Sequence, residues 1–96
     1  MAIFLSPKGT FPALIIEIIS PYCVAMNRGK QNNIELGRRV LVYETTTEKI
    51  QGQWTYLEIV KGRGRVISVE EDKSTIEFDY LKTFGNTKIG DLVKPI

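Results

Sequence analysis

Short apolar runs separated by polar, turn-forming residues recur along the chain with the two-residue period of β-strands. In residues 13–19, Leu14, Ile16 and Ile18 share one face. The opposite face holds Ala13, Ile15, Glu17 and Ile19, and the charge of Glu17 indicates that this face is half-exposed. In residues 22–26 the same alternation places Tyr22, Val24 and Met26 on one face. These patterns predict two neighbouring strands near the start of the chain.

The same pattern predicts further strands at residues 39–43, 56–60, 65–70, 74–79 and 89–93. No segment has both the length and the period of a stable helix. Six or seven short strands with closely spaced turns are typical of an all-β fold, and we predict a small barrel, SH3-like or related. Between two of these strands, residues 44–56 are polar and threonine-rich, with Gly52 suited to a turn. We predict a protruding hairpin or long loop there.

Two corners of the predicted barrel have similar sequences. Leu36-Gly37-Arg38-Arg39-Val40 and Ile89-Gly90-Asp91-Leu92-Val93 share an apolar-glycine-charged-x-valine pattern. A glycine before a strand provides the positive φ that a tight turn requires. We therefore expect Gly37 and Gly90 to turn the chain into barrel strands.

The length and composition indicate one ordinary globular domain spanning residues 1–96, with residues 1–10 as a loosely ordered N-terminal segment. Hydrophobic residues make up 43% and charged residues 25% of the chain, which argues against intrinsic disorder. The single cysteine, Cys23, excludes an internal disulfide, and we expect it to be a small buried hydrophobe. Residues 1–5 lack the basic start of a signal peptide, and no apolar run is long enough to span a bilayer. We expect a cytoplasmic protein without a membrane partner.

The motifs around these strands carry a family resemblance. They comprise Val24-Ala25-Met26-Asn27-Arg28-Gly29, Ile34-Glu35-Leu36-Gly37-Arg38, Val40-Leu41-Val42-Tyr43, residues 57–66 and Ser74-Thr75-Ile76-Glu77. In this order they resemble the C-terminal β-barrel domain of the flagellar assembly protein FlgT and small stand-alone bacterial proteins of the same pattern. The resemblance implies a β-barrel with an accessory or scaffolding role in bacteria, and it implies no catalytic residues.

The residue inventory offers little for catalysis. Histidine is absent, which removes Ser-His-Asp and Cys-His catalysis as well as the commonest metal ligand. One cysteine cannot form a zinc site alone, and the acidic run Glu70-Glu71-Asp72 lacks the spacing of a calcium loop. We therefore expect no enzyme activity, no cofactor and no metal.

Basic residues suggest one alternative function, nucleic-acid binding by a small barrel. The segment Lys61-Gly62-Arg63-Gly64-Arg65 lacks the ending of a phosphate-binding loop, and its glycines favour a β-bulge or bend. Its cations would form a basic patch with those of the earlier loops if the two regions met. The candidate contacts are Arg28, Lys30, Arg38, Arg39, Lys61, Arg63 and Arg65. The formal net charge of +2 gives this alternative little support.

The polar arm supplies the candidate protein contacts, Trp54 and Tyr56. Trp54 either folds back as a lid over one end of the barrel, which we favour, or stays exposed at a protein contact. The sequence thus favours a non-catalytic interaction or scaffolding module whose partner is a protein, including a second copy of itself. Nucleic acid is the second choice.

Overall fold

A computed structural model describes residues 9–79 and 87–96. Its strands are β1 (Ala13–Ser20), β2 (Cys23–Met26), β3 (Arg39–Ile50), β4 (Gln53–Val69), β5 (Ser74–Phe78) and β6 (Leu92–Pro95). One turn of 3-10 helix, Lys30–Asn32, lies in the polar loop after β2. Most of the expected loose segment 1–10 lies outside the described residues. Within that segment, the carbonyl of Gly9 accepts a hydrogen bond from Arg28 Nε at 2.8 Å.

The six strands form a closed antiparallel barrel in the order β1-β2-β5-β4-β3-β6. The ring closes where Ala13 and Leu14 of β1 pair with Val93 and Leu92 of β6. The predicted all-β barrel is thereby confirmed, with six strands rather than seven. Two predicted strands, 56–60 and 65–70, join into the single long strand β4.

The core fills the inside of the barrel with small and branched side chains. Its fully enclosed members come from every strand, because each strand directs alternate residues inward. The core cluster consists of Ala13, Ile15, Val24, Met26, Ile34, Val40, Val42, Val66, Ile76, Phe78 and Val93. Phe11 and Val69 pack against this cluster from its edges.

The inward face of β1 differs from the expectation. Ala13 and Ile15 are buried, whereas Leu14 and Ile16 are about two-fifths exposed. Ile15 pairs with Met26 and Glu17 with Ala25, so Ile16 is an extra residue that breaks the alternation. Because nearly every position of β1 is apolar, the sequence could not reveal which face the barrel would enclose.

At two glycines, the backbone lies so close to the backbone of a neighbouring segment that a side chain would not fit. A Cβ on Gly64 would overlap the carbonyl oxygen of Glu77 on β5, and one on Gly29 would overlap that of Glu70. The two corner glycines behave as expected, since Gly37 has φ +87° and Gly90 has φ +99°. Both positive angles favour glycine, which has no Cβ to clash.

Candidate interaction surface

A two-stranded arm extends from the barrel, formed by residues 44–59 of β3 and β4. Its ladder begins at the pair Glu44–Ile59 and ends at Ile50–Gln53. The two turn residues, Gln51 and Gly52, have φ angles of +52° and +84°. Two consecutive positive φ angles define the type I′ turn that suits a two-residue hairpin. The predicted hairpin is therefore present, and it continues two barrel strands without a break.

One face of the arm carries the two candidate aromatic contacts. Cross-strand partners in an antiparallel pair lie on the same face. Trp54 is opposite Lys49, and Tyr56 is opposite Thr47. We define the aromatic face by these two pairs and by the next pair on the same face toward the barrel, Thr45 and Glu58. Its residues are Thr45, Thr47, Lys49, Trp54, Tyr56 and Glu58.

Trp54 is 72% exposed and Tyr56 is 66% exposed. The favoured interpretation of Trp54 as a lid over the barrel is therefore wrong, and Trp54 is exposed on the arm. The reason is geometric: β3 and β4 stay paired to the tip, so Trp54 is held along the arm, away from the barrel core.

The base of the aromatic face adjoins Tyr43, which is itself buried, with 7% of its surface exposed. Lys94 Nζ lies 4.8 Å from the centroid of the Tyr43 ring and 2.6 Å from Glu58 Oε1. Burial raises the pKa of Tyr43, and the nearby Glu58 carboxylate raises it further. Lys94 thus links the base of the aromatic face to strand β6 through a cation–π contact and an ion pair.

The other side of the arm's base holds a buried ionic cluster. Lys61 is an extra residue in β4, since Val42 pairs with Gly62 and Tyr43 pairs with Val60. The bulge turns the Lys61 side chain inward, where it is 3% exposed. Its Nζ lies 2.8 Å from Glu44 Oε1 and 3.4 Å from Asp91 Oδ2.

Asp91 is itself almost fully buried, and its Oδ2 also accepts a hydrogen bond from the Lys88 backbone N–H at 2.9 Å. Burial lowers the pKa of Lys61, but hydrogen bonds and attraction to the two carboxylates outweigh burial and raise it overall. The hydrogen bond from Lys61 lowers the pKa of Glu44. The cluster joins β3, β4 and the loop before β6 where the arm leaves the barrel.

Sequence reasoning predicted a bulge at this segment but missed the cluster. The only local signal is a lysine directly after the apolar pair Ile59-Val60 and before a glycine. Its two carboxylate partners lie 17 and 30 positions away (61 − 44 and 91 − 61), so no spacing rule could reveal them.

The seven candidate nucleic-acid contacts do not form one patch. Arg28 is buried, and its guanidinium donates to the carbonyls of Gly9, Asn27 and Pro12. Lys61 is enclosed in the cluster at the base of the arm. These two cations stabilise the chain internally and are not presented to a ligand.

Three others do lie side by side on the outer wall. Arg39 pairs with Arg65 across β3 and β4, and Arg63 follows on the same face of β4. Asp79 neutralises part of this charge through two hydrogen bonds from Arg39, at 2.6 and 2.5 Å. Arg65 is also the cross-strand partner of Glu77.

The last two candidates lie in the loop between β2 and β3. Arg38 is exposed, and its guanidinium carbon lies 5.9 Å from the centroid of the Phe11 ring. It lines a shallow pocket of about 390 Å³ with Thr10, Phe11, Asn33, Ile34 and Glu35. Lys30 is exposed on the 3-10 turn.

The Arg39–Asp79 pair gives a testable pH dependence. The hydrogen bonds from Arg39 lower the pKa of Asp79, so the pair adds stability above the ordinary aspartate range. That contribution is lost as the pH falls through the lowered pKa. In an NMR titration, we expect Arg39→Gln to raise the Asp79 midpoint toward an ordinary aspartate value. An unchanged midpoint would contradict the pairing, and Lys30→Gln is the control with the same loss of charge.

The remaining candidate groups offer no reactive arrangement in the described part of the chain. Cys23 is half-buried rather than fully enclosed, and Glu17 is exposed on β1. Within residues 9–79 and 87–96, no three histidine, cysteine, aspartate or glutamate side chains gather as a metal site would require. The same residues contain no helix that is long and apolar enough to cross a membrane.

The chain matches no protein-family model, and no curated protein matches it. The geometry of the arm and of the barrel wall next to it is therefore the basis for inferring its function.

Proposed function

We propose that the protein is a non-catalytic interaction module whose arm binds a partner protein through the aromatic face. The observation that carries the proposal is the exposure of Trp54 and Tyr56 on one face of a hairpin whose two strands are paired along its whole length. Tryptophan and tyrosine are the residues most enriched among energetic hot spots of protein interfaces. A rigid strand pair presents them with little loss of conformational entropy on binding.

A protein partner fits the charge of the arm better than nucleic acid does. The arm contains three glutamates, but Glu44 is paired with Lys61 and Glu58 with Lys94. A single-stranded nucleic acid stacked on the two aromatic rings would need several cations for its phosphates, and the aromatic face offers Lys49 as its one cation. The exposed arginines of the outer wall are partly neutralised by Asp79 and Glu77, so we do not extend the proposal to nucleic acid.

The resemblance to the FlgT C-terminal barrel domain supports a bacterial scaffolding role as part of the same proposal. We also place the protein in the cytoplasm, because its one cysteine suits a reducing compartment.

The proposal predicts different outcomes for the two aromatic residues and for an apolar residue on the opposite face of the arm's tip. Trp54→Ala and Tyr56→Ala should each weaken partner capture by at least about tenfold, the effect of removing a hot-spot side chain. Because both side chains are exposed, the free energy of unfolding should change by less than about 0.5 kcal/mol. Pulldown with the immobilised full chain, followed by denaturant unfolding of each variant, measures both effects.

Ile50→Ala is the matched control. Ile50 lies at the same tip and is 45% exposed, but its side chain is on the opposite face of the hairpin. It should capture the partner as well as wild type does. Equal recoveries from all four proteins would remove the aromatic face from the proposal. Salt-sensitive capture of single-stranded DNA that requires Trp54 would instead favour the nucleic-acid alternative.

A further inference from the structure

Neither outer edge of the arm has a strand beside it among the described residues, because β5 pairs with β4 only from Gly64 to Val69. Strand β6 pairs with β3 only from Val40–Pro95 to Tyr43–Leu92, and Gly90 then directs the preceding chain toward Ile15 of β1. Beyond Tyr43, no strand of residues 9–79 or 87–96 other than β4 pairs with the β3 side of the arm, which therefore presents an open edge over residues 44–50. This edge continues the line along which β6 is already bonded.

The hydrogen-bonding groups of this edge follow from the hairpin turn. In a two-residue hairpin, the residues flanking the turn, Ile50 and Gln53, form a hydrogen-bonded pair, and such pairs alternate along the ladder. Thr45, Thr47 and Lys49 therefore direct their backbone groups away from β4. The hydrogen bonding at the barrel end of β3 is consistent with this alternation. Arg39 lies an even number of residues before Thr45, and its carbonyl likewise points away from β4 and accepts a hydrogen bond from the Ile96 N–H.

From this edge we infer that two copies of the chain pair through their arms, β3 to β3, in antiparallel orientation about a two-fold axis at Thr47. The inference is independent of the proposed function, because it uses the edge of the arm and leaves both aromatic faces open. An exposed strand edge is a template for another strand, and a two-fold interface brings the same patch of each copy together.

The sequence of the edge selects this register over its neighbours. With Thr47 on the axis, Thr45 pairs with Lys49, Thr46 with Glu48, and Glu44 with Ile50 of the second copy. Each of the seven residues 44–50 then has a partner in the second copy, and no two residues of like charge are paired.

The alternative registers are unfavourable for identifiable reasons. An axis at Glu48 pairs that carboxylate with itself, and an axis at Lys49 pairs two ammonium groups. An axis at Thr46 places Lys49 opposite Tyr43, whose edge is already bonded to Leu92. The edge therefore fits a second copy of itself in one register. The product is a four-stranded sheet that carries both aromatic faces on one side.

Disulfide trapping tests the register directly, in the full chain carrying Cys23→Ser. Thr47→Cys places two thiols across from each other at the axis, so mild oxidation should convert most of the protein into a covalent dimer. Gln53→Cys is exposed at the tip on the other strand, and its thiols should stay far apart in the pair. Equal trapping of both variants, or none at Thr47→Cys, would overturn the inference.

Sedimentation velocity tests whether the pairing occurs without a crosslink. The wild-type chain should dimerise weakly, and Thr47→Lys should raise the dissociation constant by at least about tenfold, because two like charges then meet at the axis. Thr55→Lys adds the same charge to β4 on the opposite face and should dimerise as wild type does. A wild-type chain that stays monomeric up to about 1 mM, a range that covers weak interfaces of this size, would refute the pairing. So would a dimer that Thr47→Lys leaves intact.

Discussion

Lys61→Ala should lower the free energy of unfolding by about 3–5 kcal/mol, the range observed when one partner of a buried ion pair is removed. The substitution leaves Asp91 buried at the base of the arm without its ammonium partner, and it removes the ammonium group that lies 2.8 Å from Glu44 Oε1. Denaturant unfolding monitored by circular dichroism measures the loss. We expect the midpoint to fall with little change in its slope.

Lys88→Ala is the control for this prediction. Lys88 Nζ also approaches Glu44 Oε1, at 3.5 Å, but its side chain is 63% exposed. Exposed ion pairs contribute little to stability, so this variant should unfold close to wild type. Asp91→Asn combined with Lys61→Met should cost less than the sum of the two single changes, because the double variant leaves no buried charge unpaired. If Lys61→Ala unfolds at the same denaturant concentration as Lys88→Ala, the buried cluster does not exist as described.

The cluster also predicts the direction of the alkaline response. The pKa of Lys61 lies above its ordinary value of 10.5, so its contribution to stability is complete below that value. The contribution disappears as the pH rises through the raised pKa in the folded state. Stability should therefore fall more steeply above pH 10.5 in wild type than in Lys61→Met.

Gly64→Ala has the second largest expected effect, a loss of about 3 kcal/mol, at the upper end for an overpacked interior. A methyl group at this position would overlap the backbone carbonyl of Glu77, and backbone atoms cannot move aside as a flexible side chain can. The added carbon would push β5 away from β4 and weaken the closure of the barrel. Thermal or denaturant unfolding reports the loss.

Gly9→Ala provides the matched glycine control. A Cβ on Gly9 would meet no atom within 4 Å, and its backbone does not require a positive φ. The change should leave stability unchanged or raise it slightly, because alanine restricts the unfolded chain. A Gly64→Ala protein as stable as Gly9→Ala would mean that β4 and β5 do not approach as closely as the barrel requires.

The strands that the sequence predicts well are those whose alternation distinguishes two faces. Residues 74–78 alternate clearly, with Thr75 and Glu77 between the apolar Ile76 and Phe78, and they form strand β5 with Ile76 and Phe78 buried. Strand β1 is apolar on both faces, so its inward face depends on the bulge at Ile16, which only the pairing with β2 reveals. The turn residue Gly52 and the corner residues Gly37 and Gly90 were predictable because their local chemistry allows few other conformations.

The candidate site was predicted only in part, because local sequence patterns do not reveal which distant residues the fold brings together. Local pattern located the arm and its two aromatic residues, because a threonine-rich polar segment ending in a glycine turn favours a hairpin. Whether Trp54 folds back depends on how far β3 and β4 remain paired, which is a tertiary property. Whether Arg28 and Lys61 are buried or exposed depends on carbonyl and carboxylate groups that the fold brings from distant positions. No pattern near either residue carries that information.

Fluorescence of Trp54, the single tryptophan in the sequence, reports whether the folded arm exposes its aromatic face. Iodide should quench Trp54 in the folded protein almost as efficiently as in denaturant, and the emission maximum should hardly move on unfolding. Tyr56→Ala should leave both properties unchanged, because neither depends on packing against Tyr56. A blue-shifted emission that resists iodide, then moves to the red on unfolding, would show that Trp54 is buried and would contradict the account.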